Sequence, residues 1–563
     1  MPRHLPLRPF LSLFACAALL APIPQAAHAA GARPAAQAGL EAPAPQLVVV
    51  MVIDGLPAEQ LQRYRGQFGQ GGLRRLMEQG ASFTNAHQAH GITVTAIGHS
   101  AVLSGAYPYR HGIIGNNWID ANGKLVYCTE DARYHYIGEE TDEHDGTSPA
   151  RLRVDTLGDQ LRYASGNRSK VVTVSGKDRG AILLAGKTGT AYMYMDKTGD
   201  FASSTYYMQQ HPAWAERFRA AKPKDRYYAK SWKPLLPDSA YADDAPFPEP
   251  SLKSPNRFPF SFYSNSGNID GDYFNRLKTS PYLDELTLEF ARAAVEGERL
   301  GGTPGVTDLL GVSLSAHDYV NHAYGPESRM SHDHLQRLDR MLADFFTYLD
   351  RKLGAGNVLV VLTADHGFPN TPEFVKANKG DAGRVDSAKL TVALNAALAA
   401  KFGPEKLAIA QSAPNWHLDY AAIDKLGMAR VEVENAAAAF LRTQDGVAEV
   451  FTRSQFEADA LGATRMGLLM RRAWNRELSG DLVVINKPNW YFSSGSSGTS
   501  HGSPYAYDTN VPLLISGRKW IKPGYYGQYA ETVDIAPTLA HLLRLRPPAG
   551  SEGRVLVEAL HTP

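Results

Sequence analysis

The sequence predicts an α/β fold built on a mostly parallel central sheet flanked by helices. Three observations carry that prediction. Four short runs are apolar on both faces, as strands buried inside a parallel sheet are. Helical stretches at 72–79, 282–294 and 332–353 alternate with them. Each of the four runs also ends in ionisable residues. In open α/β sheets ligands bind outside the carboxyl ends of the strands, so this last feature predicts a site as well as a fold.

The first run, residues 46–53, ends at Asp54-Gly55. Residues 93–105 (TVTAIGHSAVLSG) read as a loop entering a helix, with Thr95 at its N-terminal end. A hydroxyl there meets free backbone N–H groups and the positive end of the helix dipole, which favours an alkoxide or a bound anion. An ordinary Thr N-cap is the competing reading. The second run, 170–174, leads to Lys177-Asp178-Arg179. On an extended stretch, residues i and i+2 point the same way, so both cations are expected to face one side.

The third run, 309–314, leads to His317-Asp318. Asp318 and His322 are four apart and share one face of a helix. The fourth, 357–362, leads to Asp365-His366-Gly367, where a turn can aim both side chains inward. His501 sits in the loop Gly498-Thr499-Ser500-His501-Gly502-Ser503. Carboxylates mixed with imidazoles suit zinc, and manganese or iron less well.

Two regions break the rhythm and read as insertions over the edge of the sheet, not as separate domains. Residues of about 187–275 are crowded with Tyr, Trp, Pro and Ser. Residues of about 368–500 combine helical stretches, a strand at 481–486 and a flexible run at 493–499. Residues 1–29 have a basic start (Arg3, His4, Arg8), an apolar run too short to span a bilayer, and Ala27-His28-Ala29, the pattern of a cleaved signal peptide. An Ala/Pro/Gly-rich linker follows at 30–45, leaving 46–563 as the catalytic domain. No later segment is long and apolar enough for a transmembrane anchor, so a periplasmic or secreted protein is expected.

Lys and Arg number 58 against 57 Asp and Glu, which removes the basic footprint that nucleic-acid binding needs. Oligomeric state is not readable from this balance. With Cys16 in the signal segment, Cys128 stands alone, without an intramolecular disulfide partner, and reads as a small buried apolar residue.

In order along the chain, Asp54 after a buried strand, Thr95-Ala-x-Gly-His, Asp318-x-x-x-His322, Asp365-His366-Gly367 and His501-Gly502 resemble the alkaline phosphatase superfamily. The tail Thr532-Val533-Asp534-Ile535-Ala536-Pro537-Thr538-Leu539 is similar to that superfamily's too. Gly115-Asn116-Asn117-Trp118 and Lys177-Asp178-Arg179 narrow the resemblance to the phosphate-irrepressible (PafA-type) monoesterases, which use Thr as nucleophile. The resemblance implies two zinc ions per chain, one held by Asp318, His322 and His501, the other by Asp54, Thr95, Asp365 and His366. It makes Thr95 the nucleophile and places Asn116, Lys177 and Arg179 on the phosphoryl oxygens. Gly98, His99, His87, His90 and His111 are expected to be structural.

The implied function is an exported alkaline phosphatase that hydrolyses small phosphate monoesters through a phospho-threonine intermediate. Metal coordination is one way to activate a Thr hydroxyl, and two metals can stabilise the attacking and leaving oxygens. A phosphodiesterase or nucleotide pyrophosphatase on the same scaffold is the alternative. A sulfatase fits less well, because the nucleophile position lacks the Cys/Ser-x-Pro-x-Arg motif. A metal-binding protein without catalysis would have to keep the whole set unused.

Overall fold

The structure is a computed structural model that describes residues 43–120, 122–245 and 258–561. The expected signal peptide and residues 30–42 of the expected linker lie outside these. No helix among the described residues is long and apolar enough to cross a membrane.

Nine strands form the main sheet: β1 (Leu47–Ile53), β2 (Ala81–Phe83), β3 (Val171–Ser175), β4 (Thr190–Tyr194), β5 (Phe201–Ala202), β6 (Asp308–Leu314), β7 (Val358–Thr363), β8 (Leu513–Ser516) and β9 (Gly524–Tyr526). Their order is β9-β2-β8-β7-β1-β6-β3-β4-β5. The five strands β7-β1-β6-β3-β4 are mutually parallel, as predicted. Antiparallel pairing enters only where β8 meets β7 and β2, and where β5 meets β4.

Strand β1 explains the continuous apolar runs, because all seven of its residues are buried. Leu47, Val49, Met51 and Ile53 pack into the core on one face, and Val48, Val50 and Val52 into the core on the other. Burying each such side chain is worth roughly 1.5–3 kcal/mol. Helices Pro281–Glu298 and Arg329–Leu353 contribute to the first core and Thr95–Ser104 and Asp178–Ala185 to the second.

The aromatic-rich region does not leave the sheet at about residue 187, as expected from its composition. Thr190–Tyr194 adds β4, with Ala191 and Met193 packed on one face and Tyr192 and Tyr194 on the other. Period-two burial outweighs the unusual composition. In the later region, Ala408–Ser412, Asn415–Leu418, Leu482–Asn486 and Val447–Thr452 form a second, antiparallel sheet with its own core around Trp416, Leu394 and Val484.

Register fixes where the chemistry lies. Ile53 pairs with Leu314, Val52 with Thr363, and Ser313 with Ser175. Asp54, Asp318, Asp365 and Lys177 therefore all leave the sheet along one edge.

Candidate active site

Helix α1 (Thr95–Ser104) begins at this edge. Its N-cap is Val94, which makes no side-chain cap, and Thr95 is the first helical residue, so the reading of Thr95 as an ordinary N-cap does not apply. Two devices hold the helix against the strand ends. His99 bonds the Thr95 carbonyl through Nδ1 (2.9 Å) and Ser313 Oγ on β6 through Nε2 (2.8 Å). Gly98 leaves room for the Asp365 backbone, since a Cβ there would lie 2.1 Å from the Asp365 carbonyl oxygen. Both residues are structural, as expected. So are His87, His90 and His111, whose ring nitrogens meet Thr509, Gln88 and the Ile113 N–H.

Two trios of side chains converge here. In each of Asp318, His322, His501 and Asp54, Asp365, His366, the potential ligand atoms lie within 4.8 Å of one another. Helix α3 (Ala316–Tyr324) carries Asp318 and His322 one turn apart. Each imidazole bonds a backbone carbonyl through Nδ1: His322 that of Thr499 (2.9 Å), His501 that of Thr93 (2.8 Å) and His366 that of Gly367 (2.9 Å). Nδ1–H is thereby engaged and Nε2 faces the carboxylates, the arrangement of metal-ligating histidines.

The carboxylates demand positive charge. Among the described residues, Asp54 Oδ1, Asp318 Oδ1, Asp365 Oδ2 and His366 Nε2 are buried without a hydrogen-bond partner. Three buried carboxylates face a single lysine, Lys177, whose Nζ lies 2.8 Å from Asp54 Oδ2 and 2.5 Å from Asp318 Oδ2. Burial alone would raise both carboxyls, but Lys177 and the nearby histidines outweigh it, holding Asp318 to about 2 and Asp54 well below the usual carboxylate range. Burial alone would lower His366, yet Asp365, Asp54 and Asp318 push it up to about 9. Hard and borderline donors of this kind, with orphaned oxygens and aimed Nε2 atoms, fit divalent cations, zinc among them.

Lys177 and Arg179 do not lie on one extended stretch. Lys177 is extended, but helix α2 (Asp178–Ala185) starts immediately after it, so Arg179 sits in a first helical turn. The two cations diverge: Lys177 Nζ turns inward, 3.4 Å from Thr95 Oγ, whereas Arg179 Nη1 donates to the Tyr127 hydroxyl (3.1 Å). They still border one shared compartment. Asn116 accepts the Ala96 N–H through Oδ1 (2.9 Å), which caps α1 from outside. Cys128 is fully buried, and burial pushes its thiol up to about 12.

Residues 48–508 match the family described as Type I phosphodiesterase / nucleotide pyrophosphatase. The chain belongs to this family, within the alkaline phosphatase superfamily. Alkaline phosphatase PhoV of Synechococcus elongatus is 38% identical over 92% of this chain and 93% of its own length. Alkaline phosphatase PafA of Elizabethkingia meningoseptica is 35% identical over 92% and 95%. The crystal structure of wild-type PafA superposes with a TM-score of 0.86 at 34% identity, covering 92% of this chain and all of that one. This member of the superfamily is a phosphatase.

Three residues that position the site in this phosphatase escape sequence reasoning. Tyr127 donates its hydroxyl proton to Asp178 Oδ1 (2.5 Å) while receiving Arg179, and a lone aromatic carries no signal of such a role. Asp178 also accepts the Gly146 N–H (2.8 Å); its place between the two cations is the only hint. Asp508 stitches two ligand loops together: its carbonyl accepts the Gly367 N–H (2.7 Å) and its carboxylate the N–H groups of Gly502 and Ser503.

Proposed function

We propose that this phosphatase is an exported, metal-dependent alkaline phosphatase that hydrolyses phosphate monoesters through a phospho-Thr95 intermediate. The observation that carries the reading is the place of Thr95: first residue of a helix whose own N-cap, Val94, supplies no side-chain cap, 3.4 Å from Lys177 Nζ, which itself bridges Asp54 and Asp318. Asp318, His322 and His501 would hold one zinc ion, and Asp54, Thr95, Asp365 and His366 a second; bound there, the pair supplies positive charge to the attacking and leaving oxygens.

The chain's own residues do the rest. Thr95 Oγ attacks phosphorus in line with the leaving alcohol; the Oγ–P bond forms as the ester P–O bond breaks, and the proton that Oγ gives up ends, by way of solvent, on the departing oxygen. Lys177, whose neighbouring carboxylates keep it protonated despite burial, donates toward Oγ and steadies developing negative charge. Asn116 Nδ2 and the Arg179 guanidinium bind non-bridging oxygens, the extra charge that distinguishes a monoester dianion from a diester. Water then attacks phospho-Thr95, releasing inorganic phosphate and restoring the hydroxyl. The signal-like residues 1–29 support export.

The test is a paired assay on purified protein at alkaline pH, with metal content determined alongside. p-Nitrophenyl phosphate is expected to be strongly preferred over bis-p-nitrophenyl phosphate, with activity lost on chelation and restored by zinc. A diester preference would transfer the assignment to the phosphodiesterase activity that the family's description carries.

A further inference from the structure

Residues 493–498, just before His501, are Ser-Ser-Gly-Ser-Ser-Gly, and 494–497 are exposed. A run without apolar side chains buries nothing to offset the entropy of ordering it. One short strand holds it at both ends. Gly383–Val385 pairs in parallel with Trp490–Phe492, with Arg384 opposite Tyr491. The Val385 carbonyl accepts the Ser493 N–H (2.9 Å), which fixes the start of the run. At its end the Gly498 carbonyl accepts two hydrogen bonds, from Arg384 Nη2 (2.7 Å) and from the Tyr491 hydroxyl (2.7 Å). The rest of the guanidinium is held in turn. Nη1 and Nη2 donate to the two Glu373 carboxylate oxygens (2.7 and 3.0 Å) and Nε to the Tyr491 hydroxyl (2.6 Å).

Gly498 leads directly to candidate metal ligands. The Thr499 N–H donates to the His322 carbonyl (3.1 Å), and the Thr499 carbonyl meets His322 Nδ1 (2.9 Å). The two backbones are so close that a Cβ on Gly498, at φ +73°, would lie 2.4 Å from the His322 carbonyl oxygen. His322 Nε2 and His501 Nε2 each lie 3.5 Å from Asp318 Oδ1. Both imidazoles of this trio therefore depend on where Gly498 and Thr499 stand, whereas His366 of the other trio bonds the Gly367 carbonyl. We propose that Arg384 is a positioning residue for the Asp318, His322 and His501 trio, setting its zinc affinity through the Gly498 carbonyl and leaving the Asp54, Asp365 and His366 trio unaffected. This rests on the metal-dependent reading above. Arginine suits the task because its planar fork can hold a carboxylate and a carbonyl at once, and partners behind metal-ligating histidines tune how well they bind.

The test is zinc binding by purified protein in competition with a chromophoric chelator, which reads the two affinities without substrate turnover. Wild type is expected to bind two zinc ions. Arg384→Ala should weaken one of them about 10- to 100-fold and leave the other unchanged. Tyr491→Phe loses only a hydroxyl, so it serves even where Arg384→Ala does not fold; it should weaken the same zinc about fivefold. In a His322→Ala background, where the first trio has already lost a ligand, adding Arg384→Ala should leave the remaining zinc affinity unchanged. Two affinities that fall together, or that both stay put, would overturn the role of Arg384 and leave the two-metal reading intact. Fewer than two zinc ions on wild type would overturn both.

Discussion

The Tyr127 hydroxyl accepts a hydrogen bond from Arg179 Nη1 (3.1 Å) and donates its own to Asp178 Oδ1. Tyr127 closes a hairpin formed by Asn117–Ile119 and Leu125–Tyr127, and the next residue, Cys128, donates its N–H to the Asn116 carbonyl (2.9 Å). One hairpin therefore sets two of the proposed phosphoryl contacts, Asn116 at its start and Arg179 through its last residue.

Tyr127→Phe should loosen Arg179 without removing its charge. The expected result is a loss of about tenfold in kcat/KM for p-nitrophenyl phosphate, comparable to one hydrogen bond to a charged group, with little change for the diester. Parallel losses on both substrates would show that Tyr127 acts only through general packing.

Removing the guanidinium itself should cost more. Arg179→Ala is expected to lower monoesterase kcat/KM by on the order of 100-fold, the scale for deleting a donor to developing charge, and diesterase activity by much less. Equal losses would count against a role on the non-bridging oxygens.

Lys177→Met replaces the lysine that bridges Asp54 and Asp318 with a neutral chain. Breaking a buried ion pair in this way costs about 3–5 kcal/mol, so metal-free protein should melt markedly earlier. Zinc should recover most of that loss, because the same carboxylates then have another positive partner. Calorimetry with and without zinc reads this directly; an identical loss in both states would mean that Lys177 is not the charge these carboxylates depend on.

Gly98→Ala tests the close approach of α1 to the strand end. The added Cβ would fall 2.1 Å from the Asp365 carbonyl oxygen, a backbone atom that cannot swing aside. Overpacking of this kind costs about 1–3 kcal/mol and should weaken zinc retention as well as thermal stability. A variant with wild-type melting and zinc content would show that the helix has room to move.

Acid should destabilise the protein partly through His90. Burial holds its pKa down to about 3, against about 6.5 in an unfolded chain. Between those values the unfolded chain takes up a proton that the folded one does not. The contribution is thus complete above pH of about 6.5 and lost as pH falls toward 3, by up to about 1.4 kcal/mol per pH unit. Wild type and His90→Gln, unfolded in parallel across this range, should differ by that slope; superposable pH profiles would refute it.

Most of the candidate metal-ligand set was legible in the sequence because parallel strands announce themselves as unbroken apolar runs, and their carboxyl ends are where Asp54, Asp318 and Asp365 stand. The Asp318–His322 pair was legible from helical spacing alone. What was hidden depends on direction and distance. Nothing in Lys177-Asp178-Arg179 discloses that a helix begins after Lys177 and sends the two cations apart. Nor does the composition of Thr190–Tyr194 disclose a sheet strand, since its tyrosines resemble the loop residues that follow.

The order of the strands has a consequence for how the enzyme comes into being. β2, made near the start of the chain, has both its sheet neighbours, β8 and β9, more than 400 residues later. His501 arrives scarcely earlier, so neither the sheet nor the first metal trio can be completed until almost the whole chain has emerged. Until then β2 and the β8-facing side of β7 are open edges, the kind of surface that recruits other chains. Completion of the Asp318, His322 and His501 trio is therefore a late event in folding, and metal retention there would report the success of folding as directly as the integrity of the ligands.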